Sequence, residues 1–391
     1  MIKLNRKHKN SLLVLFFTAM FILISLTPLV PGNEIETRLM VNSVGFDVKE
    51  DGTVEVSAET INGGKNEFIH GEGRVLSDAL MNLNERYGRK IELGHCGLVV
   101  LGSDITTPQA VAVMINILSD GMINTGCSVV SADVSAREFM QSAVLLTKST
   151  GGGVSEYVSY ADAYESVTIP SILETMQSLS SKSGAAVVPI IGFREKPSED
   201  GKSGSIGGSD STEQSDSQND SGSKVTEINP SVTVRVFGKE SYELEESDAR
   251  GLIWITSRTK GGLADADMDF DGKRFELSSV IEEKKQGIEA EFADRPIVTF
   301  SVEARLKFTQ RYELLDKVEE GHPIDEVLDN VNAAYEARIT DDIKRVAERS
   351  VKDDFLGIRT KLYRADPKRY NEWSGDLSEA EYRFDIKVRV V

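Results

Sequence analysis

The chain has few of the residues that build metal and redox sites. Its 391 residues include two cysteines, four histidines and two tryptophans. His70, His95 and His322 stand apart, and none has a second histidine or a cysteine at the spacing of a metal site. We therefore interpret these histidines as structural residues, with His95 inside an apolar strand, and expect no metal or other cofactor.

Catalytic motifs are missing as well. The sequence contains no G-x-S-x-G nucleophile elbow. Residues 151–153 are three glycines, but they lack the lysine and hydroxyl residue of a phosphate-binding loop, so they favour a hinge. Because no nucleophile stands with a recognisable base, the sequence argues against an enzyme.

Positive charge is scarce outside the first residues. The chain has 63 acidic and 45 basic side chains, a net charge of −18. Lys3, Arg6, Lys7 and Lys9 are the charges that precede Glu34, so the remaining body carries −22 once these four positive charges are set aside. Such a body repels phosphate groups, and we expect no binding to nucleic acid.

One long apolar run follows those four cations. It reads SLLVLFFTAMFILISL, from Ser11 to Leu26. A basic segment before an apolar one is typical of export, and the positive-inside rule leaves the amino terminus in the cytoplasm. We assign residues 1–32 to a signal or anchor segment and expect the body to lie outside the cytoplasm.

Three fates of this segment compete. Val30-Pro31-Gly32 fits cleavage by signal peptidase poorly, although a simple secreted protein remains an alternative. Lipidation needs a cysteine at the mature start, and both cysteines lie far downstream. An uncleaved anchor needs about 17 to 25 apolar residues, and Leu12 to Val30 just reaches that length. We favour the uncleaved membrane anchor.

A polar segment divides the rest of the chain. Lys196 to Lys224 is rich in serine, glycine and aspartate, with Ile206 as its large apolar residue. Such a composition cannot bury enough surface to order itself, so we predict a disordered linker over residues 195–230. Folded regions are expected over residues 33–194 and 231–391, the second possibly with two subdomains.

The region before the linker alternates between strand and helix patterns. MVNSVGFDVKEDGTVEVSAETI predicts a β-hairpin, and VLSDALMNLNERYG a helix that ends at Gly88. IELGHCGLVVLG, PQAVAVMINILSD and CSVVSADVS then predict a strand, a helix and a strand, which form a right-handed βαβ unit. Cys96 and Cys127 begin the two strands, and we expect two buried thiols rather than a disulfide.

The region after the linker predicts strands over residues 231–238, 275–281 and 298–306. A long helix is predicted from Pro323 to Phe355, with one apolar stripe. The end of the chain alternates strictly between apolar and charged residues from Tyr382 to Val390, which predicts a half-buried strand. The fold class is therefore α+β (mixed α/β), with two to three small domains, each a mixed sheet with covering helices.

The acidic stretch DMDFDGKRFELS, which starts at Asp267, resembles the beginning of a calcium-binding loop. The position that requires a bidentate glutamate is Ser278, and the flanks predict strands instead of helices. We therefore interpret this stretch as a solvent-exposed acidic hairpin.

Four segments stand out by their order and spacing, namely GFDVKEDGTVEVSAE, GRVLSDALMNLNERYGRKIELGHCGLVVLGSDI, DDFLGIRTKLYRADPKRYNEW and YRFDIKVRVV. Together they resemble the GerAC-type C subunit of spore nutrient-germination receptors. Their order and spacing, more than any single motif, carry the resemblance. The residues that match the motifs of the family are Arg89, Ile91, Leu93, His95, Asp354, Phe355, Leu356, Gly357, Pro367 and Trp373.

Two positions depart from the family pattern. The family is usually lipidated, but Asn33 stands about where its acylated cysteine is expected, so a spanning helix is predicted to replace the lipid. Tyr370 stands where the family often has a tryptophan, and a half-buried aromatic position tolerates this exchange.

The resemblance implies a non-enzymatic receptor subunit. In this family the C subunit lies on the outer face of the spore inner membrane, with an integral A subunit and a permease-like B subunit as partners. The complex senses nutrients and triggers germination, and its C subunit has three small α/β domains. Two alternatives remain open, an extracytoplasmic solute-binding protein and a membrane-anchored hydrolase.

Overall fold

A computed structural model describes most of the body of the chain. The residues described are 15–22, 38–62, 65–119, 121, 123–147, 153–156, 158, 169–195, 226–256, 262–308 and 322–391. Residues 196–225 of the predicted linker and the first two glycines of the predicted hinge lie outside these residues, whereas Glu195 and residues 226–230, also assigned to the linker, lie in strands. Residues 15–22 are helical, and the rest of the predicted anchor segment lies outside the described residues. Within the described part of the chain, no helix has both the length and the apolar character needed to cross a membrane.

Nine of the described strands form the first sheet. They are β1 (Arg38–Val48), β2 (Val54–Asn62), β3 (Lys65–Gly73), β4 (Lys90–Glu92), β5 (Leu98–Leu101), β6 (Ser128–Ala132), β7 (Ala186–Glu195), β8 (Thr226–Phe237) and β9 (Ser241–Leu244). Their order is β3-β2-β1-β5-β6-β7-β8-β9, and β4 pairs with β1. The centre of the sheet, from β1 to β7, is parallel, whereas both flanks are antiparallel.

The predicted hairpin and the βαβ unit are both present. β1 and β2 pair in antiparallel fashion across a turn that contains Gly52, and β5 and β6 are parallel neighbours joined by a helix. The helices that cover this sheet are α1 (Leu76–Tyr87), α2 (Thr107–Ser119), α3 (Ala136–Thr147) and α4 (Ile172–Leu179). α1, α2 and α4 pack on one face, and α3 packs on the other. Val75 precedes α1 and is exposed, whereas the buried face of that helix consists of Leu76, Ala79, Leu80 and Leu83.

β8 and β9 extend the first sheet, although the sequence places them at the start of the second region. β8 pairs with β7 along most of its length, and Glu195 lies opposite Thr226. The polar segment between these two residues therefore joins the ends of neighbouring strands. After β9, α5 (Glu246–Thr256) leads into the second sheet.

The second sheet has four strands among the described residues. They are β10 (Leu263–Phe270), β11 (Lys273–Phe292), β12 (Pro296–Phe308) and β13 (Glu381–Val390), in that order. Asp271 and Gly272 connect β10 to β11 with φ values of 49° and 71°. Positive φ at both turn residues is typical of a type I′ hairpin. The acidic stretch is thus a hairpin, as predicted.

The long predicted helix is α6 (Ile324–Asp353), and it covers one face of the second sheet. Ile339, Ile343 and Val346 are almost fully buried along its inner side. The helices that follow it are α7 (Ile358–Ala365) and α8 (Pro367–Glu372). Both sheets carry helices, so the mixed α/β class is confirmed.

Candidate functional site

The six residues singled out as family motifs lie in three places. Arg89 and His95 flank β4 in the first sheet, Asp354 and Gly357 separate α6 from α7, and Pro367 and Trp373 bound α8. The structure therefore does not gather them into one pocket. The region around Asp354 combines the deepest burial with contacts between the two halves of the chain, and we treat it as the candidate site.

The prediction that His95 lies inside a strand is wrong. β4 ends at Glu92, and His95 occupies an exposed turn before β5. Gly94 and Gly97 flank this turn, which interrupts an apolar run that otherwise resembles one continuous strand. Arg89 is likewise exposed, in the bend that follows α1.

Both cysteines are free and buried at the starts of neighbouring strands, as predicted. A hydrogen bond with Cys96, together with burial, raises the pKa of the Cys127 thiol well above its usual value. The Cys127 thiol is therefore protonated, and both cysteines form part of the core around α2.

The segment between α6 and α7 contains two residues in the left-handed conformation. α6 ends at Asp353, followed by Asp354 with φ 50°, whereas Gly357 has φ 77° and precedes α7. The long helix was predicted to run to Phe355, but it ends at Asp353, because Asp354 adopts the left-handed conformation. Asp is one of the few residues other than glycine that tolerates such a backbone.

The side chain of Asp354 caps the next helix. One carboxylate oxygen accepts from the backbone N–H of Ile358 and the other from that of Arg359, each at 2.7 Å. Burial raises the pKa of Asp354, while a hydrogen bond from Ser183 and these backbone bonds oppose that rise. A single aspartate thus ends α6, begins α7 and contacts the first half of the chain.

A pair of hydroxyl groups joins the two halves beside Asp354. The oxygens of Ser183 and Thr360 are 2.9 Å apart. The backbone N–H of Ser183 donates to the Thr360 hydroxyl, and the N–H of Thr360 donates to the Ser183 hydroxyl, both at 3.3 Å. Ser183 lies in the bend before β7, so α7 is fastened to the first sheet by reciprocal bonds.

Apolar packing also crosses this joint. The core at this joint includes four buried residues at or near the start of α7, namely Phe355, Leu356, Ile358 and Leu362. The same core contains Ala185, which precedes β7, and three residues of the first sheet, namely Val234, Val236 and Leu244. The core of the second sheet therefore extends onto the edge of the first, and this packing resists independent movement of the sheets.

α5 and α6 approach each other closely at Gly251. A Cβ atom at this position would lie 2.1 Å from the carbonyl oxygen of Asp342, so only glycine fits. The Asp342 side chain is buried and bonds to Arg338 and Arg345. Burial raises the pKa of Asp342, and the neighbouring guanidinium groups oppose the rise.

Trp373 covers the outer end of the second sheet. Its ring meets Phe292, the last residue of β11, and Tyr370, in edge-to-face contacts with centroids 5.9 Å apart in each case. Its indole N–H donates to Glu379 at 3.0 Å. The ring is half-buried and lies against β11.

A second capping carboxylate, half-buried, has little signal in the sequence. Asp47, at the end of β1, accepts from the backbone N–H groups of Ala136 and Arg137 at 2.8 and 2.9 Å, at the start of α3. Burial raises the pKa of Asp47 and these bonds oppose the rise. Its sequence signal is weak, because Asp47 and the helix that it caps are far apart in the chain.

The arrangement around Asp354 is suited to holding elements together. Its carboxylate oxygens already accept backbone hydrogen bonds, so the buried charge is satisfied within the fold. Among the described residues, no group of three or more histidine, cysteine, aspartate or glutamate side chains could hold a metal ion.

Two family models match most of the body. The model described as "Spore germination protein N-terminal domain" matches residues 32–193, and the one described as "Spore germination B3/ GerAC like, C-terminal" matches residues 233–391. The two matches follow each other without overlap and together span well over half of the chain. The chain belongs to the GerAC family of spore germination proteins.

Individual proteins add little to this assignment. No curated protein sequence matches the chain. A solved structure entitled "Crystal Structure of the GerBC protein" is 14% identical, with a TM-score of 0.49, and the alignment covers 89% of this chain and 96% of that chain. A likeness at this level carries no argument, so the membership rests on the two family models.

Proposed function

We propose that the chain is the non-enzymatic C subunit of a spore nutrient-germination receptor. In this proposal it is attached to the outer face of the spore inner membrane, and it acts with an integral A subunit and a permease-like B subunit to trigger germination. The observation that carries the proposal is the match of both GerAC family models, in order, across the body of the chain.

The environment of Asp354 supports a structural role for this residue rather than a catalytic one. This residue is one of those that match the motifs of the family. Its carboxylate caps α7 and contacts Ser183 of the first half. A catalytic carboxylate needs an oxygen available to substrate, whereas both oxygens here accept backbone N–H groups. The family motif thus acts as a structural joint in this proposal.

A deletion of the gene tests the function. Spores that lack the protein should lose dipicolinate release in response to at least one class of nutrient among amino acids, sugars and nucleosides. The total dipicolinate released by boiling should stay unchanged, which shows that the spores formed normally. Restoring the full chain should restore the response. A deletion strain that responds like its parent to every nutrient would contradict the proposal.

The proposed membrane attachment has its own test. If the first segment is an uncleaved anchor, cells labelled with a radioactive fatty acid should leave this protein unlabelled, because Asn33 stands where an acylated cysteine is expected. The membrane-bound form should also have the mass of the full chain. Incorporation of the label, or a mass that lacks the first segment, contradicts an anchor of this kind.

The two alternatives predict different measurements on the purified full chain. A solute-binding protein should show a rise in melting temperature with one of the nutrients, because a ligand that binds only the native state stabilises it. A hydrolase should lose activity when a hydroxyl or histidine residue is replaced by alanine. The proposed receptor subunit predicts no hydrolytic activity to remove.

A further inference from the structure

The two edges of the second sheet differ in what bonds to their outward-facing backbone groups. At one edge, the N–H groups of Val388 and Val390 in β13 point away from the sheet and donate to Glu336 and Asn332 of α6, at 2.9 and 2.8 Å. The helix therefore occupies that edge with its own side chains. The opposite edge is β10, and it is built differently.

The register of β10 shows which of its backbone groups face outward. The N–H of Ile281 donates to the carbonyl oxygen of Gly262, and these two positions are directly opposite by extension of the Leu263–Val280 pairing. In an antiparallel pair, alternate residues bond to the neighbouring strand. Gly262 and every second residue after it bond to β11, so Leu263, Asp265, Asp267 and Asp269 direct their N–H and C=O groups to the open edge.

Within the described part of the chain, no group bonds to this outward-facing row. Two adjoining cavities of about 360 and 80 Å³ lie against residues 262–267 of β10 and also against β11, at residues 276–278 and at Ile281. Both are lined by Arg250 of α5 and Arg338 of α6. The groove formed by these cavities adjoins an edge whose backbone groups are open in the described residues, and an open sheet edge can accept an additional strand.

Charge differs between the two sides of the groove. Arg250, Arg338 and Arg345 surround the single buried carboxylate of Asp342, which leaves two positive charges in excess on the helix side. The Nε atom of Arg250 is buried and has no hydrogen-bond partner in the described residues. This side of the groove favours a carboxylate, which guanidinium groups bind with two parallel hydrogen bonds.

The solvent side of the edge is acidic. Asp265, Asp267 and Asp269 are exposed and lie on one face at every second position. Arg274 bonds to Asp267 at 2.8 Å, but both side chains are largely exposed and such a pair contributes little. Cationic side chains on an added strand would lie beside this row of carboxylates.

We propose that the open edge of β10 binds an extended polypeptide segment as an added strand. The segment carries lysine or arginine at alternate positions, beside Asp265, Asp267 and Asp269, and a carboxylate on its other face, at Arg250 and Arg338. Backbone hydrogen bonds supply the affinity, and the two charge patterns supply the specificity. The inference does not depend on the proposed receptor function.

A second copy of β10 does not fit this chemistry. Pairing two copies edge to edge would place the aspartates of one strand beside those of the other. Like charges directly opposite each other are destabilising, and charged edges are a common device against self-association. The acidic row therefore selects a basic partner and disfavours a dimer through this edge.

The test uses the full chain in detergent and a fluorescent peptide of about nine residues, a typical strand length. The peptide has lysine at every second position and a glutamate at the central intervening position. A peptide with the two charges exchanged is the control for pattern. We expect the first peptide to bind at least about tenfold more tightly than the second.

Backbone methylation separates strand addition from simple attraction of charges. Two versions of the binding peptide carry methyl groups on complementary sets of alternate amide nitrogens. Only one set faces β10, so one version should lose at least about tenfold in affinity and the other should keep it. Equal binding of both versions would overturn the proposal, because it shows that no backbone ladder forms.

Variants of the strand locate the site. Asp267→Pro removes an N–H that faces the open edge and is not used in the ladder with β11, a position where proline is tolerated. It should abolish binding, whereas Asp267→Asn keeps the N–H and should weaken binding only modestly. Parent-like binding by Asp267→Pro overturns the proposal.

A charge exchange keeps the test decisive if the proline variant fails to fold. The double variant Asp265→Lys, Asp267→Lys should reverse the preference and bind the peptide with exchanged charges more tightly. A variant that folds, as judged by circular dichroism, and retains the parental preference overturns the proposal.

Discussion

The hydroxyl oxygens of Ser183 and Thr360 lie 2.9 Å apart, and they join the bend before β7 to the first turns of α7. The buried carboxylate of Asp354 lies beside this pair and caps the same helix. The two sheets are therefore connected by hydrogen bonds and by the apolar core that surrounds them.

Replacing Asp354 tests this joint. Asp354→Ala leaves the N–H groups of Ile358 and Arg359 without an acceptor, and each unsatisfied buried group costs about 1 to 3 kcal/mol. Asp354→Asn keeps one oxygen acceptor and tolerates the left-handed backbone, so its loss should be smaller. Urea unfolding of the full chain in detergent measures both. Equal stability of the alanine variant and the parent would show that the cap contributes nothing.

The raised pKa of Asp354 gives a dependence on pH. Because burial makes the folded protein hold this proton more tightly, its contribution to stability is complete below pH 3.8, the ordinary pKa, and is lost as pH rises through the folded pKa. The stability advantage of the parent over Asp354→Asn should therefore shrink as pH rises. Unfolding of both proteins between about pH 4 and pH 7 measures it. An advantage that grows with pH contradicts this environment.

Gly251 tests the contact between α5 and α6. Gly251→Ala places a Cβ atom 2.1 Å from the carbonyl oxygen of Asp342, so the helices must separate. We expect a loss of about 1 to 3 kcal/mol or more, as for other overpacked cores. Gly287→Ala is the matched control, because its Cβ would meet only the Ser301 hydroxyl, at 3.1 Å, which can rotate away. Thermal unfolding compares them, and similar losses for both would contradict close helix packing.

Trp373→Ala should destabilise the second sheet by less than the removal of a fully buried tryptophan. Full burial corresponds to about 3 to 5 kcal/mol, but this ring is half-buried against Phe292 and Tyr370. We expect about 2 kcal/mol, with a lower amount of folded protein and a weaker germination response. Trp373→Phe keeps the aromatic contacts and should lose less. If Trp373→Ala melts like the parent but no longer joins its partner subunits, Trp373 is a contact residue.

The segment over residues 196–225 joins the ends of two paired strands, since Glu195 lies opposite Thr226. Replacing it with a short glycine-serine turn should leave the fold intact and lower the entropic cost of closing the loop. Shortening by about three halvings corresponds to roughly 2 kcal/mol of added stability. A deletion that prevents folding or accumulation in the membrane shows instead that the segment is required.

Several elements could be predicted because their signals are local. The alternation from Tyr382 to Val390 and the stripe of α6 report which face is buried, and both are confirmed. Asp271-Gly272 likewise identifies its own turn. In each case the residues that decide the structure are neighbours in the chain.

Other features depend on partners that are distant in sequence. The pairing of β8 with β7 is invisible in either strand alone, because both are simply apolar strands. Asp354 matches a motif of the family, but the sequence does not reveal its role as a cap. That role depends on how α6 ends and on Ser183, which is far away in the chain. The edge of β10 carries no local signal of being unpaired, since a strand's position in a sheet is decided by the whole fold.

The most direct test of the central claim is purification of the tagged full chain from detergent-solubilised spore inner membranes. If the chain is the C subunit of a germinant receptor, quantitative mass spectrometry should find an integral A subunit and a permease-like B subunit with it, in fixed proportion to it. An unrelated spore membrane protein with the same tag should not recover them. Recovery of the chain from that membrane without either subunit would contradict the account.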